Sequence, residues 1–180
     1  MMYISPTRAD RFMKIGIVYY SRTGNTNRVA KILEEKLKGK NAEVDLIEIE
    51  HVKRPGFFAA GKAATKQREL PIKNTNFNME KYDMILIGCP TWAGRPSPYI
   101  TTFINKAENM KEKKIGIFGT GMSPITAREQ FKEIIRNNLE KAGMKTFDSY
   151  VALQFTRGKL VDGEQNIDSF VNTVLKMKNG

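Results

Sequence analysis

The sequence predicts an α/β fold, a three-layer α/β/α sandwich whose middle layer is a five-stranded parallel sheet. Short runs rich in β-branched and aromatic residues have the composition of buried strands, and they fall at 14–20, 42–52, 82–89, 114–118 and 146–155. Amphipathic segments with helical spacing separate these runs. Because strands that alternate with helices are joined by crossovers, the pattern predicts a parallel sheet covered by helices on both faces.

The first predicted strand ends in a turn that opens directly into a helix. The turn consists of Ser21, Arg22, Thr23, Gly24, Asn25 and Thr26. The first turn of a helix leaves N–H groups without partners and carries the positive end of the helix dipole, so it favours an anion. The hydroxyls add donors and Gly24 lets the backbone approach a ligand closely, which predicts a bound phosphate. The alternative is an ordinary turn in which Thr26 or Asn25 caps the helix.

The composition of this turn narrows the class of phosphate. The chain has neither the Gly-x-x-x-x-Gly-Lys-Ser/Thr loop of nucleoside triphosphate sites nor, at this turn, the Gly-x-Gly-x-x-Gly fingerprint of dinucleotide sites. A hydroxyl-rich loop that does not end in lysine suits a terminal phosphomonoester.

Two further loops follow the third and fourth predicted strands. The first contains Pro90, Thr91, Trp92, Ala93 and Gly94, and the second contains Gly119, Thr120, Gly121 and Met122. Pro90 is expected to end its strand, Trp92 offers a large flat π surface, and Gly94 allows an unusual backbone turn. Such loops suit a flat, largely apolar ring with polar edges.

In combination, the three loops resemble those of flavodoxins and flavodoxin-like FMN-binding flavoproteins of the short-chain type. The resemblance implies FMN as cofactor, with its phosphate on the first loop and its isoalloxazine ring between the other two. It also implies the flavodoxin-like strand order 2-1-3-4-5, with the ligand in the crevice at the topological switch point. We expect Trp92 to lie against the flavin, core packing being the alternative, and Met122 either to touch the ring edge or to fill a gap.

We expect one domain at 14–180, preceded by a flexible arm at 1–13. No apolar stretch is long enough to span a bilayer and no secretory signal pattern is present, which predicts a cytoplasmic protein.

The single cysteine, Cys89, excludes an internal disulfide and is interpreted as a core residue. His51, the only histidine, is interpreted as a strand-end residue. No metal site and no catalytic acid, base or nucleophile is predicted.

The charge of the chain departs from the family pattern. Lys and Arg number 30 against 19 Asp and Glu, a net charge of +11, whereas flavodoxins that carry electrons are typically acidic. A basic surface would steer an acidic redox protein such as a ferredoxin, or an anionic small molecule, and a solvated surface without a partner is the alternative. No nucleic-acid recognition motif accompanies the charge. A homo-oligomer is left open.

The most basic region is the long crossover at 53–81. Its predicted helix at 57–70 carries apolar residues that are expected to face the sheet: Phe57, Phe58, Ala60, Ala64 and Leu70. We consider the crossover a docking surface, a lid over the cofactor or a surface helix without a further role.

Three functions fit these patterns. The first is transfer of electrons between redox partners through bound FMN, and the second is FMN-dependent oxidation of NAD(P)H with reduction of a quinone or similar acceptor. The third is an interaction module without flavin. Because positive charge near the ring, from Arg22 and Arg95, penalises an anionic reduced flavin less than acidic surroundings do, we expect a less reducing flavin than in acidic flavodoxins.

Overall fold

The computed structural model describes residues 12–124, 128–161 and 163–177. Along the chain its elements are β1 (Lys14–Tyr19), α1 (Asn25–Lys38), β2 (Glu43–Glu48), α2 (Phe57–Thr65), β3 (Met84–Trp92), β4 (Arg95–Pro96), α3 (Pro98–Lys106), β5 (Lys114–Gly121), α4 (Glu129–Lys141), β6 (Ser149–Thr156), β7 (Lys159–Leu160) and α5 (Gln165–Lys176). Of the expected arm at 1–13, only Phe12 and Met13 are described, and Met13 is buried beside the sheet. No helix within the described ranges has the length and apolarity needed to cross a membrane.

The sheet confirms the predicted topology. Its five long strands lie in the order β2-β1-β3-β5-β6, and each neighbouring pair is parallel. This is the predicted order 2-1-3-4-5, because the two-residue β4 shifts the numbering of the later strands. The short strands β4 and β7 were not predicted, and each pairs antiparallel with the end of the strand before it.

Side-chain alternation along the strands divides the core into two layers. Ile15 and Ile17 of β1 pack with α1 and α5 on one face, where Leu33 and Phe170 are fully or almost fully buried. On the other face, Val18 packs in the cluster that includes side chains of α2, α3 and α4. Helices therefore cover both faces of the sheet, as the alternation of strands and helices predicted.

The crossover helix differs from its prediction in length and in the direction of its aromatic residues. It ends at Thr65 rather than near residue 70, and Phe57 and Phe58 are 74% and 90% exposed rather than turned toward the sheet. Contact with the core is made instead through alanines, Ala60 and Ala64 among them. Since alanine adds little width to a helix, the pattern of small residues, and not the two aromatic rings, marks the buried face.

Strand β3 continues through Pro90, which was expected to end it. The β1–β3 register stops at Tyr19 and Gly88, whereas the β3–β5 register runs on to Pro90 opposite Thr120. Beyond Gly88, β3 is therefore an edge on its β1 side, where proline's missing N–H is tolerated. The last two residues of β3, Thr91 and Trp92, line the crevice at the switch point.

Candidate functional site

The three predicted loops meet at the carboxyl ends of adjacent strands. The first loop follows β1. Most of the second and third predicted loops lie within the ends of β3 and β5, because these strands run on to Trp92 and Gly121 rather than ending before the loops. The strands β1, β3 and β5 are neighbours in the sheet. From β1 the chain crosses to β2 on one side, and later strands lie on the other side, so the loops surround the topological switch point. The predicted site residues are thus brought to one edge of the sheet.

In the first loop, the backbone and side chains leave N–H groups at the start of α1 available to a ligand. Gly24 has φ +91°, in the left-handed region that favours glycine, and its carbonyl accepts the first helical hydrogen bond from Arg28 N–H at 2.9 Å. Ser21 Oγ accepts a bond of 3.2 Å from Asn27 N–H. The N–H groups of Asn25 and Thr26 belong to the first turn of α1, whose donors have no intrahelical partner. Together with the exposed Thr23, they form a cradle that suits a phosphate.

A buried hydroxyl pair joins the first loop to the third. Thr26 Oγ1 and Thr120 Oγ1 lie 2.8 Å apart, and both residues are buried. In such a pair one hydroxyl donates to the other, and the second retains its proton for a further acceptor. Thr26 therefore has a structural partner in addition to its predicted role at the phosphate.

Arg22 lies in the crevice between the first and second loops. Its guanidinium donates from Nη2 to the Pro55 carbonyl at 3.0 Å, and its Cζ lies 5.3 Å from the centre of the Trp92 ring. Its Nη1 is buried and has no hydrogen-bond partner among the described residues. A buried cationic donor without an acceptor is costly, so this atom fits an anionic or acceptor-rich ligand in the crevice.

The second loop is a tight hairpin between β3 and β4. Trp92 pairs with Arg95, and the two connecting residues, Ala93 and Gly94, have φ of 49° and 75°. Positive φ at both positions is characteristic of a type I′ hairpin turn, and the predicted unusual turn at Gly94 is present. Because alanine rarely adopts positive φ, the hairpin stores strain beside the crevice.

Trp92 packs into the core from this hairpin. Its ring meets those of Tyr20 and Tyr99 edge to face, at centroid distances of 5.8 and 6.0 Å. It is largely buried, and its remaining surface lines the crevice. The structure thus shows Trp92 as a core residue on one side and a cleft wall on the other.

The crevice holds a cleft of about 260 Å³. Its walls contain Arg22, Thr91, Trp92, Ala93, Gly94 and Met122 from the predicted set. The other predicted residues lie in the same three segments of the chain without lining this cleft: Ser21, Thr23, Gly24, Asn25, Thr26, Pro90, Gly119, Thr120 and Gly121. The volume is slightly below the usual range of about 300–1,000 Å³ for small-molecule sites. Of the first loop, only Arg22 lines this cleft.

The sequence did not indicate four further cleft residues. Phe57, Ala60 and Gly61 come from α2, and Ser123 follows Met122. The only sequence signal was the length of the crossover, which suggested a lid without naming the residues that line the cleft.

A larger open groove of about 400 Å³ runs along residues such as Ile47, Asn74 and Lys81. None of the three loops contributes to that groove, so we assign it no role.

The tyrosines behind the cleft are held neutral. Burial raises the pKa of Tyr99 to about 12, and burial also raises the pKa of Tyr20, with Arg22 and Arg54 opposing the rise. Burial raises the pKa of the Cys89 thiol, so this group is not a thiolate at neutral pH. Within the described part of the chain, no three His, Cys, Asp or Glu side chains are placed to hold a metal ion. The cleft therefore offers donors, a cation and an aromatic wall.

A family model described as NADPH-dependent FMN reductase matches residues 13–157, which contain all three loops and all of the sheet except β7. The chain belongs to this family. The predicted resemblance to flavodoxin-like FMN-binding flavoproteins is thereby confirmed, and FMN is the cofactor of such proteins.

Relatives of the family extend the comparison. A flavodoxin of Maridesulfovibrio salexigens is 30% identical over 132 residues, covering 71% of this chain and 76% of that protein. The crystal structure of a Lactobacillus acidophilus flavoprotein in complex with FMN has TM-score 0.65 at 19% identity, covering 88% of this chain and 98% of the other. Oxidised flavodoxin 2 of Bacillus cereus has TM-score 0.60 at 23% identity, with coverages of 91% and 99%. These two structures show the same fold.

The residues of the cleft fit the family's cofactor. Nη1 of Arg22 has no partner among the described residues and can donate to an acceptor on a ligand. The start of α1 favours an anion, and Trp92 provides an aromatic wall. FMN, when bound, accepts and donates electrons one or two at a time. The contribution of the chain itself is to bind, orient and screen that group.

Proposed function

We propose that this chain is an FMN-binding flavoprotein of the flavodoxin type that transfers electrons between redox partners through bound FMN. In this proposal the first loop binds the phosphate, through the open N–H groups of Asn25 and Thr26 and the Thr23 hydroxyl. The ring lies in the cleft between the Trp92 hairpin and Met122. Arg22 faces the ring or the linking chain with its unsatisfied nitrogen.

The observation that carries the electron-transfer role is the apolar rim at the cleft mouth. Phe57 and Met122 line the cleft and are 74% and 75% exposed, and the neighbouring Phe58 is 90% exposed. Exposed large apolar residues beside a redox site are characteristic of a protein contact surface. The chain around Phe57 and Phe58 is basic, with Lys53, Arg54 and Lys62 close to them in sequence. An acidic redox protein complements such a surface, whereas a two-fold contact between copies would bring like charges together.

The second candidate is the NAD(P)H oxidoreductase, which the description of the family model favours. In that reaction the nicotinamide approaches the exposed face of the ring at the same mouth. The two candidates share the cofactor site and differ only in what reaches it. A third possibility, an interaction module without flavin, does not explain the cation and helix start that face the crevice.

Steady-state assays separate the two candidates. Purified protein saturated with FMN is mixed with NADPH or NADH and a soluble quinone, and in parallel with reduced ferredoxin. The proposal predicts fast reduction of the flavin by ferredoxin and slow oxidation of either nicotinamide. Rapid nicotinamide oxidation that requires the bound FMN would instead assign the chain to the oxidoreductases.

If the first loop binds the phosphate, two of its threonines contribute to FMN affinity. Replacing Thr23 or Thr26 by alanine is expected to weaken FMN binding by about 1.5 to 3 kcal/mol each, because each removes a charge-assisted hydrogen bond. Only Thr26→Ala should also lower the melting temperature, since it breaks the buried bond to Thr120. Fluorescence titration and thermal melts of both variants measure these effects. Unchanged FMN affinity in both variants would show that the phosphate does not bind to this loop.

A further inference from the structure

Arg128 is a fully buried cation next to the cleft. It lies immediately before α4, is 1% exposed and is among the largest fully buried side chains of the described residues. Burying a guanidinium is costly unless its donors are satisfied, so a position of this kind needs a compensating arrangement. Sequence patterns did not indicate it, since a lone arginine ahead of a helix is normally a surface residue.

The guanidinium connects β3, the segment after β5, and β6. Its Nη1 lies 3.4 Å from Thr91 Oγ1, and its Nη2 donates to the carbonyls of Ser123 at 2.9 Å and Leu153 at 3.2 Å. These partners belong to the end of β3, the segment after β5 and the middle of β6. Thr91 and Ser123 both line the cleft. One side chain therefore connects the second loop to the third from behind the cleft wall.

Gly121 shows how closely this group packs. A Cβ at Gly121 would lie 3.1 Å from Arg128 Nη2 and 3.1 Å from Thr91 Cβ. Contacts this short are tighter than nine in ten real Cβ contacts. The backbone of the third loop is thus pressed against the guanidinium, and the absence of a side chain at residue 121 allows it.

The positive charge of Arg128 affects neighbouring groups inside the protein. Burial raises the pKa of the neighbouring Tyr150 hydroxyl to about 12, and the positive charge of Arg128 opposes that rise. Because charges in a protein interior are screened far less than in water, a cation behind the cleft wall also acts on a ligand in the cleft.

We propose that Arg128 is a positioning residue for the flavin: it fixes the distance between the Thr91 and Met122–Ser123 walls, and its charge favours reduced, anionic FMN over oxidised FMN. This inference rests on the proposed binding of FMN in the cleft. It assigns a specific side chain to the expectation that this flavin is less reducing than the flavins of acidic flavodoxins. The effect does not require contact between Arg128 and the cofactor.

The test compares two variants with a matched control. Arg128→Met removes the charge and the hydrogen bonds but keeps most of the length, and Arg128→Lys keeps the charge without the branched set of donors. Arg136→Met removes the same charge from within α4, eight residues and about 12 Å further along at 1.5 Å per residue. FMN dissociation constants and the two-electron potential of the bound flavin are measured for each protein.

We expect Arg128→Met to bind reduced FMN at least tenfold more weakly, relative to oxidised FMN, than the unmodified chain does. A tenfold change in that ratio lowers a two-electron potential by about 30 mV. Arg128→Lys should keep the potential near that of the unmodified chain while weakening oxidised FMN, because the walls are no longer held by several donors. Arg136→Met should change neither quantity.

Unchanged affinity and potential in Arg128→Met, with FMN bound, would overturn the proposal. Should that variant not fold, Arg128→Lys decides, since wild-type affinity for oxidised FMN in that protein contradicts the positioning role. A failure of the unmodified chain and of Arg136→Met to bind FMN would refute the proposed function itself. The two kinds of failure are therefore distinguishable.

Discussion

Replacing Trp92 by alanine is expected to weaken FMN binding by about 1 to 3 kcal/mol, the range found when an aromatic surface under a stacked base is removed. The same change should destabilise the fold by about 3 to 5 kcal/mol, because it leaves a cavity between Tyr20 and Tyr99. Both effects follow from the two sides of this ring, one in the core and one on the cleft. Flavin fluorescence titration and denaturant unfolding measure them separately.

Trp92→Phe provides the control. It keeps an aromatic face at the cleft and fills part of the core, so both effects should be smaller than in Trp92→Ala. A Trp92→Ala protein that is destabilised but binds FMN as tightly as the unmodified chain would show that Trp92 serves the core alone.

A second large effect on stability is expected at Gly88. A Cβ at this position would lie 2.1 Å from Phe118 Cζ and 2.8 Å from Tyr19 Cβ, and no rotation of the substituted residue relieves a clash at its own Cβ. Gly88→Ala should therefore lower the free energy of unfolding by about 3 kcal/mol, at the upper end of overpacking effects. Because Gly88 marks the last β1–β3 pair, FMN affinity should fall as well.

Gly61→Ala is the matched control for that change. Its Cβ would come no closer than 4.0 Å to Ala93 Cβ. Since Gly61 lies inside α2, the substitution should be neutral or stabilise the protein by up to about 1 kcal/mol. Equal urea denaturation midpoints for Gly88→Ala and the unmodified chain would contradict the packing described at the end of β3.

The fold was predictable because its signal is local. Each long strand is an apolar run and each helix has a periodic face. Right-handed crossovers restrict the possible topologies, and the resemblance of the three loops to those of flavodoxins implied the strand order. Strand ends were predicted less well: Pro90 and Thr91 are not apolar, and they extend β3 because Pro90 pairs with β5 and Thr91 pairs with β4. Such pairing is a tertiary effect that a local pattern does not contain.

The candidate site was predictable only where it consists of loops. The turn at 21–26 and the loops after β3 and β5 carry Gly, Pro, Thr and Trp in a recognisable order. The α2 wall carries no such signature, and the orientation of Phe57 was predicted wrongly because an aromatic residue at helical spacing normally faces the core. Arg128 could not be predicted, since nothing in its neighbours along the chain indicates that Thr91, Ser123 and Leu153 surround it.

The central claim is that the turn after β1 binds the phosphate of FMN while the two later loops hold its ring. Parallel titrations of the flavin-free protein with FMN and with riboflavin, which has the same ring and no phosphate, test it most directly. The structure predicts that FMN binds at least a hundredfold more tightly, equivalent to about 3 kcal/mol from the cradle. Equal affinity for the two flavins, or no binding of either, would contradict it.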